Sequence, residues 1–216
     1  MMLRGINLDL ATDCCIFSNE IFNAVVYGGW EQCEQSRLTF IDNYDIIELG
    51  GGIGYISCSL NKRLTDKIHV VIEPNPLLIS IIERSRQLNN CHFVVENKIY
   101  EPNNKFKLFD IITPDNNIVG LKNPVSCLIE GINLSTIKTK YNIGNFCLVC
   151  DIEGDEFDLL SNGKEVKILE DHCPTILMEF HRKCDLDNLL KPHGFYLLDK
   201  CGCSTVVAVF KSERFV

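Results

Sequence analysis

The chain lacks a long apolar run, and this absence constrains its expected location in the cell. No uninterrupted apolar stretch approaches the roughly 20 residues that a membrane-spanning helix needs. Residues 1–30 also lack a basic stretch followed by an apolar core, because Asp9, Asp13 and Glu20 interrupt the segment, so no secretory signal is expected. These absences predict a soluble cytoplasmic protein with no membrane span.

Positive charge is scarce as well. The chain has 21 Lys and Arg against 29 Asp and Glu, a formal net charge of −8, and it has no basic stripe. Such a balance does not attract polyanions broadly, so nucleic acid is not an expected partner. Repeats, low-complexity segments and long linkers are also absent, and 216 residues with 46% hydrophobic content suffice for one domain with a sizeable core.

The twelve cysteines are irregularly spaced, and a disulfide framework is not expected in a cytoplasmic chain of this size. Cys147 and Cys150 form a C-x-x-C, a spacing that can mark a metal or redox site. They lie in an apolar run typical of a buried strand, where residues three apart face opposite sides of the sheet. We therefore predict packing, and we interpret Cys201-Gly-Cys203, near His193, as a tight turn.

Residues 45–55, DIIELGGGIGY, carry the strongest functional signal. An apolar strand runs into a turn with four glycines within five residues, and a helix-compatible segment follows. Glycine lets a backbone approach a ligand closely, and the start of a helix offers free N–H groups, as in the nucleotide sites of doubly wound α/β domains. The next apolar strand ends at Glu73, and a carboxylate in that position commonly binds ribose hydroxyls.

The spacing of the glycines narrows the ligand. Gly50, Gly52 and Gly54 give G-x-G-x-G preceded by Glu48, whereas a dinucleotide fingerprint reads G-x-G-x-x-G. The G-x-G-x-G form, with an acid closing the second strand, resembles S-adenosylmethionine-dependent methyltransferases of the Rossmann-like class. An NAD-dependent oxidoreductase is the less favoured enzyme class, since no clear Tyr-x-x-x-Lys pair accompanies the turn. An ordinary glycine-rich turn is the structural alternative.

Strands and helices alternate along the rest of the chain. We predict strands at 45–49, 68–73, 92–96, 146–152 and 175–180, and helices at 53–63, 77–88, 155–160, 164–170 and 186–190. A final antiparallel pair, 194–198 and 204–210, is predicted to turn at Asp199-Lys-Cys-Gly, and 109–113 with 126–130 to form a small inserted hairpin. The predicted fold is α/β, with a mostly parallel seven-stranded sheet whose last strand is reversed.

Two predicted regions divide the chain. Residues 1–44 are expected to form an amphipathic helical lead-in that contributes to the acceptor pocket, and residues 45–216 the cofactor-binding domain. Strands four and five both run into polar residues: Asp151 and Glu153 follow one, and Glu179 and His181 end the other. Ligands of open α/β sheets bind beyond the carboxyl ends of the strands. We therefore expect these side chains to gather along one rim.

Several of these motifs together resemble the FkbM-type methyltransferases. That family's pattern is D-x-G-A-N-x-G, then E-P-N-P, then K-x-D-x-E-G-x-E, then a strand ending in E-x-H. This chain has IEPNP at 72–76, DIEGDE at 151–156 and ILMEFH at 176–181, and GWE at 29–31 resembles an upstream G-x-x-E. The resemblance spans roughly residues 25–200. Three departures stand out: Glu48 replaces the usual Asp, Gly51-Gly52 the Ala-Asn pair, and Val149 the lysine.

The resemblance implies S-adenosylmethionine as methyl donor and a hydroxyl, often on a sugar or glycan, as acceptor. The glycine turn would cradle the methionine portion with Glu48 near its amino group, Glu73 would hold the ribose, and Glu96 or Asn97 would lie by the adenine amine. The predicted cofactor-binding residues are Glu48, Gly50, Gly51, Gly52, Gly54, Tyr55, Glu73, Pro74, Asn75, Glu96, Asn97 and Asp151.

The predicted catalytic residues are His181, Asp151, Glu153 and Glu179. A hydroxyl acceptor loses a proton, so a base within hydrogen-bond reach helps. His181 is the first candidate because imidazole titrates near neutral pH, and Asp151 and Glu153 come next. The same cluster could bind Mg²⁺, which we do not favour. Because of the departures above, a non-catalytic nucleoside-binding module remains the alternative to an O-methyltransferase that acts on a carbohydrate or small-molecule hydroxyl.

Overall fold

The computed structural model describes residues 2–3, 6–7, 31–111, 125–202 and 205–215. In chain order its strands are β1 (Met2–Leu3), β2 (Ile6–Asn7), β3 (Asp45–Leu49), β4 (His69–Ile72), β5 (Val94–Glu96), β6 (Ile99–Tyr100), β7 (Lys107–Ile111), β8 (Val125–Ile129), β9 (Gly131–Ile132), β10 (Phe146–Cys150), β11 (Thr175–Phe180), β12 (Phe195–Cys201) and β13 (Val206–Ser212). Its helices are α1 (Gln32–Arg37), α2 (Tyr55–Asn61), α3 (Pro76–Leu88), α4 (Leu134–Tyr141), α5 (Glu156–Ser161), α6 (Gly163–His172) and α7 (Leu186–Leu189). None of these helices is long and apolar enough to cross a membrane.

A seven-stranded sheet forms the centre, in the order β12-β13-β11-β10-β3-β4-β5. Strands β5, β4, β3, β10 and β11 are mutually parallel, whereas β13 pairs antiparallel with both β11 and β12. Within this sheet β13 is therefore the reversed strand, as predicted. The chain passes from β3 outward to β5 and returns to β10 on the other side of β3, which creates a switch point between β3 and β10.

The sheet is buried on both faces, which is why its central strands are apolar throughout. Alternate residues enter two different cores: Ile46 and Cys147 belong to one, Leu148 and Cys150 to the other. The two cysteines of the C-x-x-C thus lie on opposite faces of β10, both fully buried. This confirms that Cys147 and Cys150 are packing residues.

The inserted hairpin is confirmed as the antiparallel pair β7 and β8. The predicted turn at Asp199-Lys-Cys-Gly was wrong, because Asp199, Lys200 and Cys201 continue β12 and pair with β13. Helix α4 and the short parallel pair β6 and β9 were not predicted. Asn133 begins α4 by accepting a hydrogen bond from the backbone N–H of Thr136, a capping signal that could have located it.

The described parts of the lead-in are mixed. Strands β1 and β2 pair antiparallel, whereas residues 32–40 form α1 and a short 3-10 helix. Residues 1, 4–5 and 8–30 lie outside the described residues. So do Gly29 and Trp30 of the family resemblance and Cys203 of the predicted turn. The lead-in as a whole therefore stays a prediction.

Candidate active site

The glycine turn joins β3 to α2 and lies directly against β10. Gly50 has φ +89°, and a Cβ there would lie 1.7 Å from the carbonyl oxygen of Asp151. Gly51 is also closed, since its Cβ would lie 2.6 Å from Val71 Cγ1, whereas a Cβ on Gly52 would meet Glu31 Oε1 at 3.7 Å. The turn is therefore packed against the sheet on one side and open on the side of Gly52. Any side chain at Gly50 would separate β3 from β10.

Glu73 follows β4 and reaches across to the glycine turn. Its Oε2 accepts a hydrogen bond from the backbone N–H of Gly52 at 2.8 Å, and its Oε1 accepts one from Asn75 at 2.7 Å. Burial raises the pKa of Glu73 to about 7, and the bonds from Asn75, Gly52 and Gly51 oppose that rise. Asn75 in turn caps α3 through Leu77. The predicted ribose-binding acid and the glycine turn thus form one unit.

Glu48 points into the protein beneath this unit. It is 1% exposed, its Oε1 accepts a hydrogen bond from Ser57 at 2.6 Å, and its Oε2 lies 2.8 Å from His69 Nε2. Both oxygens bind residues of α2 and β4, and a contact with the methionine amino group stays a prediction. Tyr55 is also buried, at 3% exposure. We assign both residues to the support of the turn.

The two residues predicted near adenine, Glu96 and Asn97, form hydrogen bonds to other residues of the chain. Burial favours a higher pKa for Glu96, but hydrogen bonds from Lys140 and Tyr141 of α4 outweigh it and lower the pKa. Asn97 donates to the carbonyl oxygens of Glu73 at 2.9 Å and of Pro74 at 3.0 Å. Asn97 thereby braces the E-P-N-P turn, and an adenine contact by either residue stays a prediction.

Five side chains meet next to the glycine turn, and we call them the acid–histidine cluster: Glu34, Asp151, Glu153, Glu179 and His181. They include two triads of metal-ligating types, Glu34–Asp151–Glu179 and Asp151–Glu153–His181, each with its ligand atoms within 4.8 Å of one another. The structure thus brings together all four predicted catalytic residues. It adds Glu34 from α1, which the sequence did not single out.

Burial raises the pKa values of two acids in this cluster. Glu34 is 8% exposed, and burial together with a hydrogen bond to Glu179 raises its pKa to about 9. Burial, then repulsion from Glu179 and Glu153, raises the pKa of Asp151 to about 8, while His181 lowers it. The Asp151 side chain is 34% exposed overall, but its Oδ1 is shielded from solvent and has no hydrogen-bond partner among the described residues.

Neighbouring acids favour the charged form of His181. Its Nδ1 lies 3.1 Å from Oε1 of the fully buried Glu156, and its Nε2 lies 3.3 Å from Glu153. The bond to Glu156 raises the pKa of His181 to about 9, with Asp151 and Glu153 adding to the effect and burial opposing it. An imidazolium cannot accept another proton, so the structure argues against His181 as a base near neutral pH. The signal for Glu156 was present in the D-x-E-G-x-E motif, but its role was missed.

Two glutamates, one within the cluster and one next to it, have left-handed backbone conformations. Glu31 has φ 47° and Glu153 has φ 53°, values that are uncommon for residues other than glycine, asparagine and aspartate. Such strain often accompanies functional sites. The cavity enclosed here, bordered by Glu34, Gly51 and Asp151, has a volume of about 20 Å³, enough for about one water molecule. A wider groove of about 470 Å³ lies at the opposite ends of the strands, near His92, away from this chemistry.

Comparison with known proteins shows similarity of fold without similarity of sequence. No known protein family's sequence profile matches the chain, and no curated protein matches it. A Streptococcus agalactiae protein of the NAD-binding Rossmann superfamily has a TM-score of 0.50 and 12% identity, over 83% of this chain and 67% of that one.

Two methyltransferases show the same degree of similarity. A Clostridium acetobutylicum S-adenosylmethionine-dependent methyltransferase has a TM-score of 0.50 and 9% identity, over 89% of this chain and 96% of that one. A Streptococcus pneumoniae protein whose proposed activity is tRNA (m1A22) methylation has a TM-score of 0.50 and 11% identity, over 82% and 68%. The chain therefore has the Rossmann-like α/β fold that these S-adenosylmethionine-dependent methyltransferases share.

Proposed function

We propose that this chain is an S-adenosylmethionine-dependent methyltransferase. The observation that carries the proposal is the joining of the glycine turn to Glu73 at the carboxyl ends of β3 and β4, beside the switch point between β3 and β10. In open α/β sheets a ligand binds in that crevice. The G-x-G-x-G spacing and the fold shared with methyltransferases support this donor over a dinucleotide.

The residues present suit such a donor. Gly50 and Gly51 keep the turn pressed against the sheet, and Gly52 presents its open face beside the Glu73 carboxylate. In our proposal this face holds the nucleoside and Glu73 takes its ribose hydroxyls. When bound, the donor supplies a methyl group on a positively charged sulfur. A positive charge next to the acid–histidine cluster would favour the ionised form of its acids, because opposite charges attract most strongly where water is excluded.

We assign the general base to Asp151. Its pKa of about 8 lies near physiological pH, where a base is most effective, and its Oδ1 accepts no hydrogen bond from the described residues. As the acceptor oxygen bonds to the methyl carbon, Asp151 takes the proton which that oxygen loses. The positive charge of His181 favours the ionised form of Asp151, so His181 acts as a positioning residue.

The acceptor we propose is a hydroxyl of a small molecule, including a carbohydrate, which follows from the FkbM-type resemblance. The E-P-N-P and D-x-E-G-x-E motifs that carry the resemblance do border the candidate site, through Glu73, Asn75, Asp151 and Glu156. A tRNA acceptor, suggested by the Streptococcus pneumoniae neighbour, is opposed by the acids of the cluster and by the net charge of −8, since Lys and Arg supply most of the affinity for a phosphate backbone.

Purified protein incubated with isotopically labelled methyl donor and fractionated metabolites tests the proposal. We expect label in a small hydroxyl compound. Asp151→Asn should reduce transfer by about 10²–10⁴-fold while still binding S-adenosylhomocysteine. The control variant Asp187→Asn, at an exposed aspartate, should leave both transfer and binding unchanged. Label found only in tRNA would refute the acceptor assignment. Cofactor binding without transfer to any acceptor would instead support a non-catalytic nucleoside-binding module.

A thermal-shift screen separates the cofactor classes. A ligand that binds the native state stabilises it by RT ln(1 + [L]/Kd). We expect S-adenosylhomocysteine to raise the melting temperature and NAD to leave it unchanged. A larger shift with NAD would favour the oxidoreductase.

A further inference from the structure

Two cysteines far apart in sequence meet at the edge of the sheet. Cys33 of α1 and Cys201, the last residue of β12, place their Sγ atoms 2.6 Å apart. A covalent S–S bond is about 2.05 Å long, so the two sulfurs are already close to bonding distance. Both side chains are partly exposed, which leaves them open to a small reagent.

Other contacts hold the two elements together at this point. Arg37 of α1 forms an ion pair with Asp199 of β12 at 2.9 Å, and its guanidinium also reaches the carbonyl oxygen of Lys200 at 3.5 Å. Because α1 is docked on β12 through these contacts, the sulfurs can join without a large movement of the backbone.

We propose that Cys33 and Cys201 form a reversible disulfide that locks α1 onto the end of β12. The locked helix carries Glu34, next to Cys33, against Glu179 in the acid–histidine cluster. The proposal does not depend on the methyltransferase assignment. No disulfide framework was expected from the sequence, and the cysteines in the described part of the chain are free, but this one pair is placed to respond to oxidant.

A small disulfide such as oxidised glutathione is a sufficient oxidant. One cysteine thiolate attacks it, forming a mixed disulfide and releasing one glutathione. The second thiolate then attacks the protein sulfur of the mixed disulfide, the Cys33–Cys201 bond forms, and the second glutathione leaves. The two thiol protons end on the two glutathione molecules, so two protein thiols are oxidised and one glutathione disulfide is reduced.

A second sulfur pair provides an internal comparison. The Sγ of Cys91 donates a hydrogen bond to the carbonyl oxygen of Cys58 at 3.7 Å, but Cys58 and Cys91 are 0% and 7% exposed. Thiol exchange requires access to the sulfur. Oxidised glutathione should therefore act on Cys33 and Cys201 in the folded protein and leave Cys58 and Cys91 reduced.

Peptide mapping of the folded full-length chain tests the proposal directly. After treatment with oxidised glutathione, alkylation and digestion without reductant, we expect a cross-linked peptide that joins Cys33 to Cys201. Cys33→Ser and Cys201→Ser should each leave a glutathione adduct on the remaining cysteine, and Cys184→Ser should keep the cross-link. Because the wild-type map alone decides the matter, a variant that fails to fold does not leave the proposal untested.

Thermal unfolding supplies the second measurement. The bond would join residues 168 positions apart in the sequence, and disulfides stabilise mainly by restricting the unfolded chain. Oxidation should raise the melting temperature of the wild type by about 4 °C or more and that of Cys33→Ser not at all. Full alkylation of both thiols after oxidation would overturn the proposal, as would a cross-link of Cys33 to Cys203. The proposal would also be overturned if the thiols resisted alkylation and a chelator abolished that resistance, because this result would indicate a bound metal.

Discussion

Replacing Glu156 with glutamine should lower the pKa of His181, and this tests the electrostatics of the cluster. Glutamine keeps the shape of the side chain and can still accept the hydrogen bond from Nδ1 at 3.1 Å, but it removes the negative charge. The wild-type pKa of about 9 lies well above the ordinary value of 6.5, a difference worth roughly 3 kcal/mol. Because Glu156 is the largest cause, we expect a decrease of about one pH unit or more in the variant.

The assay is a titration of the His181 imidazole followed by NMR. Glu153→Gln is the matched control: Glu153 also approaches the ring, at 3.3 Å, but its side chain is 62% exposed, so solvent screens its charge. It should lower the pKa less than Glu156→Gln does. A wild-type pKa near 6.5, or a larger effect from Glu153→Gln, would refute the reasoning and restore His181 as a candidate base.

Three further predictions follow from the site. Gly50→Ala should destabilise the protein by roughly 4 kcal/mol or more in chemical denaturation. Gly163→Ala should change stability little, because a Cβ there meets nothing within 4 Å in the described structure. Equal effects of the two variants would contradict the packing of the turn. The pKa of Glu34 is raised from 4.5 to about 9. Its contribution to stability is therefore fully present below the unfolded pKa and is lost as the pH rises through the folded pKa. The free energy of unfolding should increase from pH 9 to pH 5, and Glu34→Gln should reduce that pH dependence. We expect EDTA to leave methyl transfer unchanged, and a loss of activity that Mg²⁺ restores would show that the Asp151 triads bind the ion.

The sheet and the glycine turn were predictable because local sequence determines them. Strands buried on both faces read as uninterrupted apolar runs, and the turn needs glycine where a Cβ on Gly50 would strike Asp151. The predicted range of this strand ended at residue 198, whereas β12 continues to Cys201. The strand lies at the edge of the sheet, where exposed and buried residues alternate, and Asp199-Lys-Cys-Gly has the composition of a turn. Helix α4 was missed because Leu134 and Ile137 are its only buried residues among eight, too few for a clear helical period.

Within the site, sequence located the residues at the strand ends but not their partners. Asp151 and Glu179 follow or end apolar runs, so their shared rim follows from the parallel sheet. The engagement of Glu48 could not be predicted, since Ser57 and His69 meet it through tertiary packing. The charge on His181 likewise depends on Glu156, whose position follows from the fold of the loop after β10.

Calorimetric titration of folded protein with S-adenosylhomocysteine tests the central claim most directly. We predict saturable binding that Glu73→Gln weakens at least about tenfold, or about 1.4 kcal/mol, because the carboxylate is proposed to take the ribose hydroxyls. Glu130→Gln, which changes an exposed glutamate paired with Lys98, should bind as the wild type does. Wild-type protein that is folded and yet binds neither S-adenosylhomocysteine nor S-adenosylmethionine would contradict the account.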